Sequence, residues 1–179
     1  MSSLDPAGHT VTATATSAKP HGFVTKGIHW VSAALLAFGY FKGLNNVSQL
    51  NDPTLFWSEV WFAATIGVLF AIRFVWTKAV AGSTRLPQDA PRWEHLASRA
   101  VHLGLYASVF GIVLSGLGIA LGFATPMLNG LFLHAMVGLH EFALSVLPPL
   151  LLMHIAGALW HRLMRRDGVF ESMTMRWGR

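Results

Sequence analysis

Four stretches of this chain are too long and too apolar to be elements of a water-soluble domain: about Phe23 to Leu44, Leu55 to Trp76, Ser98 to Phe123 and His134 to Leu163. An apolar helix of about 20 residues spans the roughly 30 Å of hydrocarbon in a bilayer, so each stretch can cross one. The connecting segments NNVSQLNDPT and AGSTRLPQDAPR carry Asn, Asp, Pro and Gly and read as turns outside the hydrocarbon. The composition agrees, with 53% hydrophobic and only 12% charged residues among 179. The expected fold is all-α, a four-helix transmembrane bundle over residues 21–179. Residues 1–20, rich in Ala, Thr and Ser and lacking an apolar h-region, read as a disordered tail and not a signal peptide.

The charges orient the bundle. Arg73, Lys78, Arg85, Arg92 and Arg99 surround the second loop, and Arg162, Arg165, Arg166, Arg176 and Arg179 close the chain. Lys19 and Lys26 precede or begin the first stretch. The first loop has only Lys42 beside Asp52 and Glu59, and the third has no Lys or Arg. The positive-inside rule therefore puts both termini and the second loop in the cytoplasm. This clustering also accounts for the net charge of +5 without nucleic acid as a partner. Trp30, Trp57, Trp61, Trp76, Trp93 and Trp160 fall near helix ends, as an aromatic belt requires.

Nine histidines in so apolar a chain exceed what packing needs, and the absence of cysteine removes iron–sulfur clusters, disulfides and covalently attached haem. Ionisable groups inside hydrocarbon are costly, so each histidine within a span is a functional candidate. His29, near the start of the first helix, and His154, about two turns inside the end of the fourth, can face each other at one level. Two neutral imidazoles so placed can fill both axial positions of a haem iron. His140 precedes His154 by 14 residues, which returns it to within about 40° of the same face and about 21 Å away along the axis. One helix can thus serve two stacked sites, although Pro148 and Pro149 between them are expected to kink it. His102 and Arg73 stand at the depth of the first pair, with haem propionates, an anionic or quinone ligand, or simple head-group anchoring as the readings of each. Solvation is the reading for His9, His21, His95 and His161. Gly104, Gly111, Gly116, Gly118, Gly138 and Gly157 would let helices or a flat macrocycle approach closely.

GIHWVSAALLAFGY, RAVHLGLYASVFGIVLSG and LHEFALSVLPPLLLMHIAGALWHRLMRRDGVFESM resemble the bacterial cytochrome b561 family, related to the nickel-hydrogenase cytochrome b subunits, over about residues 22 to 175. The resemblance implies a four-helix membrane protein of the bacterial inner membrane carrying b haem and exchanging electrons with quinone or a redox protein. It would put one haem on His29 and His154, and an outer haem on His140 with a histidine early in the second helix. That histidine is missing. The family position, 14 residues before the basic residue that ends the helix, counts back from Arg73 to Glu59, and no residue from 51 to 91 is histidine. The outer site is then either empty, with Glu59 hydrogen-bonded to His140, or rebuilt with His134 or Glu59 as ligand.

The expected function is therefore that of a respiratory-chain electron carrier, or a quinone-linked oxidoreductase, with haem b secure at His29 and His154. Expected partners are the lipid bilayer, quinone or a redox protein, and a second copy of the chain. Two alternatives stay open: an anchor subunit passing electrons from a dehydrogenase or hydrogenase, and a haem-free transporter or scaffold whose histidines bind a metal ion or conduct protons.

Overall fold

The computed structural model describes residues 22–43, 46–81, 86, 90–128 and 130–174, so the tail with His9 and His21, and Lys19, Arg85, Arg176 and Arg179, lie outside the described residues. Among the described residues all regular structure is helical: α1 (Phe23–Lys42), α2 (Pro53–Trp76), α3 (Arg92–Ala124), α4 (Leu131–Trp160) and the short α5 (Val169–Met173). Three helical stretches, Pro53–Ala79, Arg92–Ala124 and Leu131–Arg165, are long and apolar enough to cross a membrane. The first is α2 with the beginning of its π-helical extension, Thr77–Ala81. The last is α4 with the π turn His161–Arg165. The 20-residue α1 packs on α2, α2 on α3, and α3 most extensively on α4.

Local chemistry sets the helix boundaries. A 3₁₀ turn, Val47–Asn51, is fixed by a capping box in which Asn46 Oδ1 accepts from the Ser48 amide and Gln49 Oε1 from the Asn46 amide. Asp52 then caps α2, its carboxylate accepting from the Thr54 amide at 2.8 Å, with Pro53 at the first helical position. α3 begins six residues before the expected Ser98, because RWEHLA continues the helix into the polar region. Glu94 favours that first turn through the helix dipole and is held 3.3 Å from Arg165, in the π turn that follows α4. α4 begins at Leu131, where Gly130 takes φ 129°, a conformation few other residues adopt. Pro148 and Pro149 lie inside α4, which is helical from Leu131 to Trp160.

The core lies between α2, α3 and α4 and consists of Ile66, Phe70, Val109, Val113 and Leu147. A Cβ on Gly111 would stand 3.3 Å from the Cβ of Ala143, so α3 and α4 approach there as the small residue permits. A Cβ on Gly138 or Gly157 would meet nothing within 4 Å, so neither glycine is a point of close helix approach and open space lies beside each.

His161 is a second departure. Expected in solvent, it is 9% exposed and its Nδ1 lies 2.6 Å from Asp167 Oδ2. The π turn, Arg166 at φ 52° and Gly168 at φ 80° reverse the chain and return Asp167 to the helix end, a tertiary event that helical periodicity does not reveal. α5 is thereby folded back toward α1, where Lys26 Nζ donates to the Thr174 carbonyl at 2.8 Å and Trp30 Nε1 to that of Met173 at 3.1 Å. Asp167→Ala is expected to cost about 1–3 kcal/mol by orphaning the buried imidazole. Limited proteolysis should then cut the 166–174 segment several-fold faster than in the parent protein.

Candidate functional site

The end of the bundle at which α1 begins and α4 finishes, the inner end, collects three histidines and an arginine. His29 on α1 and His154 on α4 have ring centres 6.3 Å apart, with 51° between their planes. His102 on α3 stands edge-on to His154 at 5.0 Å, its Nδ1 2.6 Å from the Ser98 carbonyl one turn earlier. A carbonyl only accepts, so the His102 proton sits on Nδ1 and Nε2 presents its lone pair. Arg73, the basic residue of the last turn of α2, donates from Nη2 to His29 Nδ1 at 2.7 Å, while its guanidinium lies over the rings of Phe70 and Tyr106. Trp30 stacks edge-on against His29 at 5.6 Å and is tied to the α5 segment described above.

Toward the other end, α1 to α4 line a partly open cavity of about 460 Å³ that runs from Glu59, Tyr40 and His140 to Ile66, Val113 and Leu147. His140 Nδ1 lies 3.0 Å from the Ile112 carbonyl and 3.0 Å from Ser115 Oγ. Ser115 gives its own proton to the Gly111 carbonyl, so it accepts from the imidazole, and His140 also carries its proton on Nδ1. Glu59 does not bond to His140 here. Its Oε1 lies 2.9 Å from Lys42 Nζ, close enough for an ion pair but off the direction of a hydrogen bond, and that buried oxygen has no hydrogen-bond partner among the described residues.

The structure thus groups His29, His154, His102 and Arg73 at one level, and Glu59 and His140 around one cavity. It leaves His134 apart, exposed at the start of α4 and bonded to the Gly130 carbonyl of its own first turn at 2.7 Å. Among the described residues, no three His, Asp or Glu converge to hold a bare metal ion. Sequence reasoning missed Trp30, Ser115 and Lys42. Trp30 was absorbed into the aromatic belt, and a serine inside a helix or a lysine at its end carries no distinguishing signal until its neighbour across the bundle is known.

A helical protein that brings imidazoles from different helices face to face, beside a second, histidine-lined cavity, has residues that could hold a flat metal cofactor between helices. The chain belongs to the prokaryotic cytochrome b561 family, whose model matches residues 21–176. No curated protein and no solved structure matches it. Membership makes it a membrane b-type cytochrome of electron transfer, with b haem as its cofactor and the lipid bilayer as its surroundings.

Proposed function

We propose that the chain is a four-span cytochrome with both termini cytoplasmic, holding one haem b between His29 and His154 and exchanging electrons with quinone in the bacterial inner membrane. The carrying observation is the 6.3 Å between those ring centres on different helices. Two imidazoles ligating one metal from opposite sides at about 2 Å per bond have centres roughly 6 Å apart, so the residues present fit the group. Lys26, Arg73, Lys78, Arg92, Arg99, Arg162, Arg165 and Arg166 all belong to this end, which supports a cytoplasmic placement by the positive-inside rule. α1 is the fourth span in this reading.

Haem supplies the one-electron redox step when bound, and the protein supplies ligands, orientation and dielectric. Arg73 can only donate, so in the arrangement seen His29 accepts at Nδ1 and its proton, when the ring is neutral, sits on Nε2. Ligation through Nε2 requires Arg73 to turn to another acceptor, and a propionate is the acceptor that haem brings. The edge of His102 fixes the plane of the His154 ring. Tyr106 and Phe70 hold the guanidinium in place.

Arg73→Gln is expected to retain haem but lower its midpoint potential, because a cation beside the iron favours the reduced form. Redox titration checks this, and an unchanged potential would remove Arg73 from the site. The reading as a whole is tested by purifying the protein in mild detergent. Haem b per polypeptide and reduction by an added quinol would be measured, and a colourless, folded protein would overturn it.

A further inference from the structure

We infer that the outer cavity is a one-histidine haem site whose sixth position is open to a small neutral diatomic ligand, unlike the bis-histidine site at the inner end. The inference rests on the b-cytochrome reading above. The cavity of about 460 Å³ is partly open, lies between α1, α2, α3 and α4, and is walled mainly by apolar side chains such as Ile66 and Val113. His140 is the histidine that lines it among the described residues.

That histidine is prepared as a metal ligand. With Nδ1–H shared between the Ile112 carbonyl and Ser115 Oγ, each at 3.0 Å, the tautomer is fixed and the Nε2 lone pair remains. Metal-bound imidazoles are held by this kind of partner, which sets ring orientation and raises basicity. The same tautomer cannot donate from Nε2, so it does not suit a ligand that needs a hydrogen bond to a carbonyl oxygen. Gly116 keeps the ring face clear, since a Cβ there would stand 3.4 Å from His140 Cε1.

No matching nitrogen exists on α2. The chain from 51 to 91 contains no histidine, and the α2 residue that lines the cavity with ionisable chemistry is Glu59. Its Oε1 stands 2.9 Å from Lys42 Nζ, and a carboxylate in an ion pair is a poorer axial ligand for haem iron than a neutral imidazole. A haem held on His140 therefore lacks a second protein nitrogen. Iron so ligated is high-spin and accepts an exogenous ligand, whereas two imidazoles close both axial positions.

The probe is carbon monoxide added to the dithionite-reduced, detergent-purified full chain, with haem per polypeptide and ferric spin state measured on the same sample. The expected result is a ratio near two, with half the haem binding carbon monoxide and half the ferric haem high-spin. His140→Ala should remove the reactive half and leave the low-spin half intact. Glu59→His should abolish carbon monoxide binding and turn the high-spin half low-spin. A ratio near one with no reactive haem overturns the proposal, as do two unreactive haems or a reactive haem that survives His140→Ala. The parent spectrum decides even if a variant fails to fold. Each of these failures leaves the inner low-spin haem in place, whereas loss of all haem would remove the b-cytochrome reading itself.

Discussion

His154→Ala is expected to eliminate the low-spin haem, leaving at most the haem held by His140. The geometry makes this the largest single effect in the molecule. His154 is the α4 ring that faces His29 at 6.3 Å, and a methyl group cannot ligate iron. His140→Ala, 14 residues earlier and about 21 Å along the same helix, should leave the low-spin spectrum unchanged. Reduced-minus-oxidised spectra of both variants, normalised to polypeptide, provide the check. His102 complicates the experiment in a useful way, because it stands 5.0 Å from His154 and presents a free lone pair on Nε2. The double variant His102→Ala with His154→Ala is therefore part of the test. Low-spin haem that persists in the single variant and vanishes in the double would transfer the axial role to His102. Equal bleaching by His140→Ala and His154→Ala would mean that the two levels are not separate sites.

Leu147→Ala should be the most damaging substitution outside the histidines. Leu147 is 1% exposed and sits in the core with Ile66, Phe70, Val109 and Val113. Truncating a leucine so enclosed costs about 2–5 kcal/mol, the spread reflecting how far the surroundings collapse. Leu147 lies seven residues from both His140 and His154, where α4 passes from one site to the other. It also lines the inner end of the outer cavity. The expected outcome is a fall in the temperature at which haem absorbance is lost on heating in detergent, with both haem environments affected together. Leu152→Ala, on an exposed position of the same helix, should leave that temperature nearly unchanged. A Leu147 variant as stable as the Leu152 variant would place the packing that holds α4 elsewhere.

Much of this architecture is written in one-dimensional patterns. Apolar runs of membrane length located α2, α3 and α4 because hydrocarbon thickness sets a minimum length and a maximum charge that few sequences meet by accident. Intramembrane histidines stood out for the converse reason, since burying an imidazole in lipid has a cost that only function or pairing offsets. The 14-residue interval between His140 and His154 returned both to one helix, and the missing α2 histidine was visible at Glu59. The family followed from the same residues.

Partner choice across the bundle was not written there. A Glu59–His140 hydrogen bond was one of the alternatives open for the outer site, and Glu59 instead meets Lys42, because α1 and α2 bring an opposite charge to it. His161 was read as solvated and is buried on Asp167, because a π turn and two left-handed residues reverse the chain. Gly138 and Gly157 have open space where a Cβ would stand, whereas Gly111 sits where α3 and α4 close. The sequence by itself determined which segments are apolar enough to enter a bilayer and which side chains can bind iron, since both are properties of residue type and spacing along one helix. Only the tertiary structure decided which imidazoles face each other, which nitrogen of each carries the proton, and which charge answers Glu59. Those depend on contacts between helices whose relative rotation no single-helix periodicity fixes.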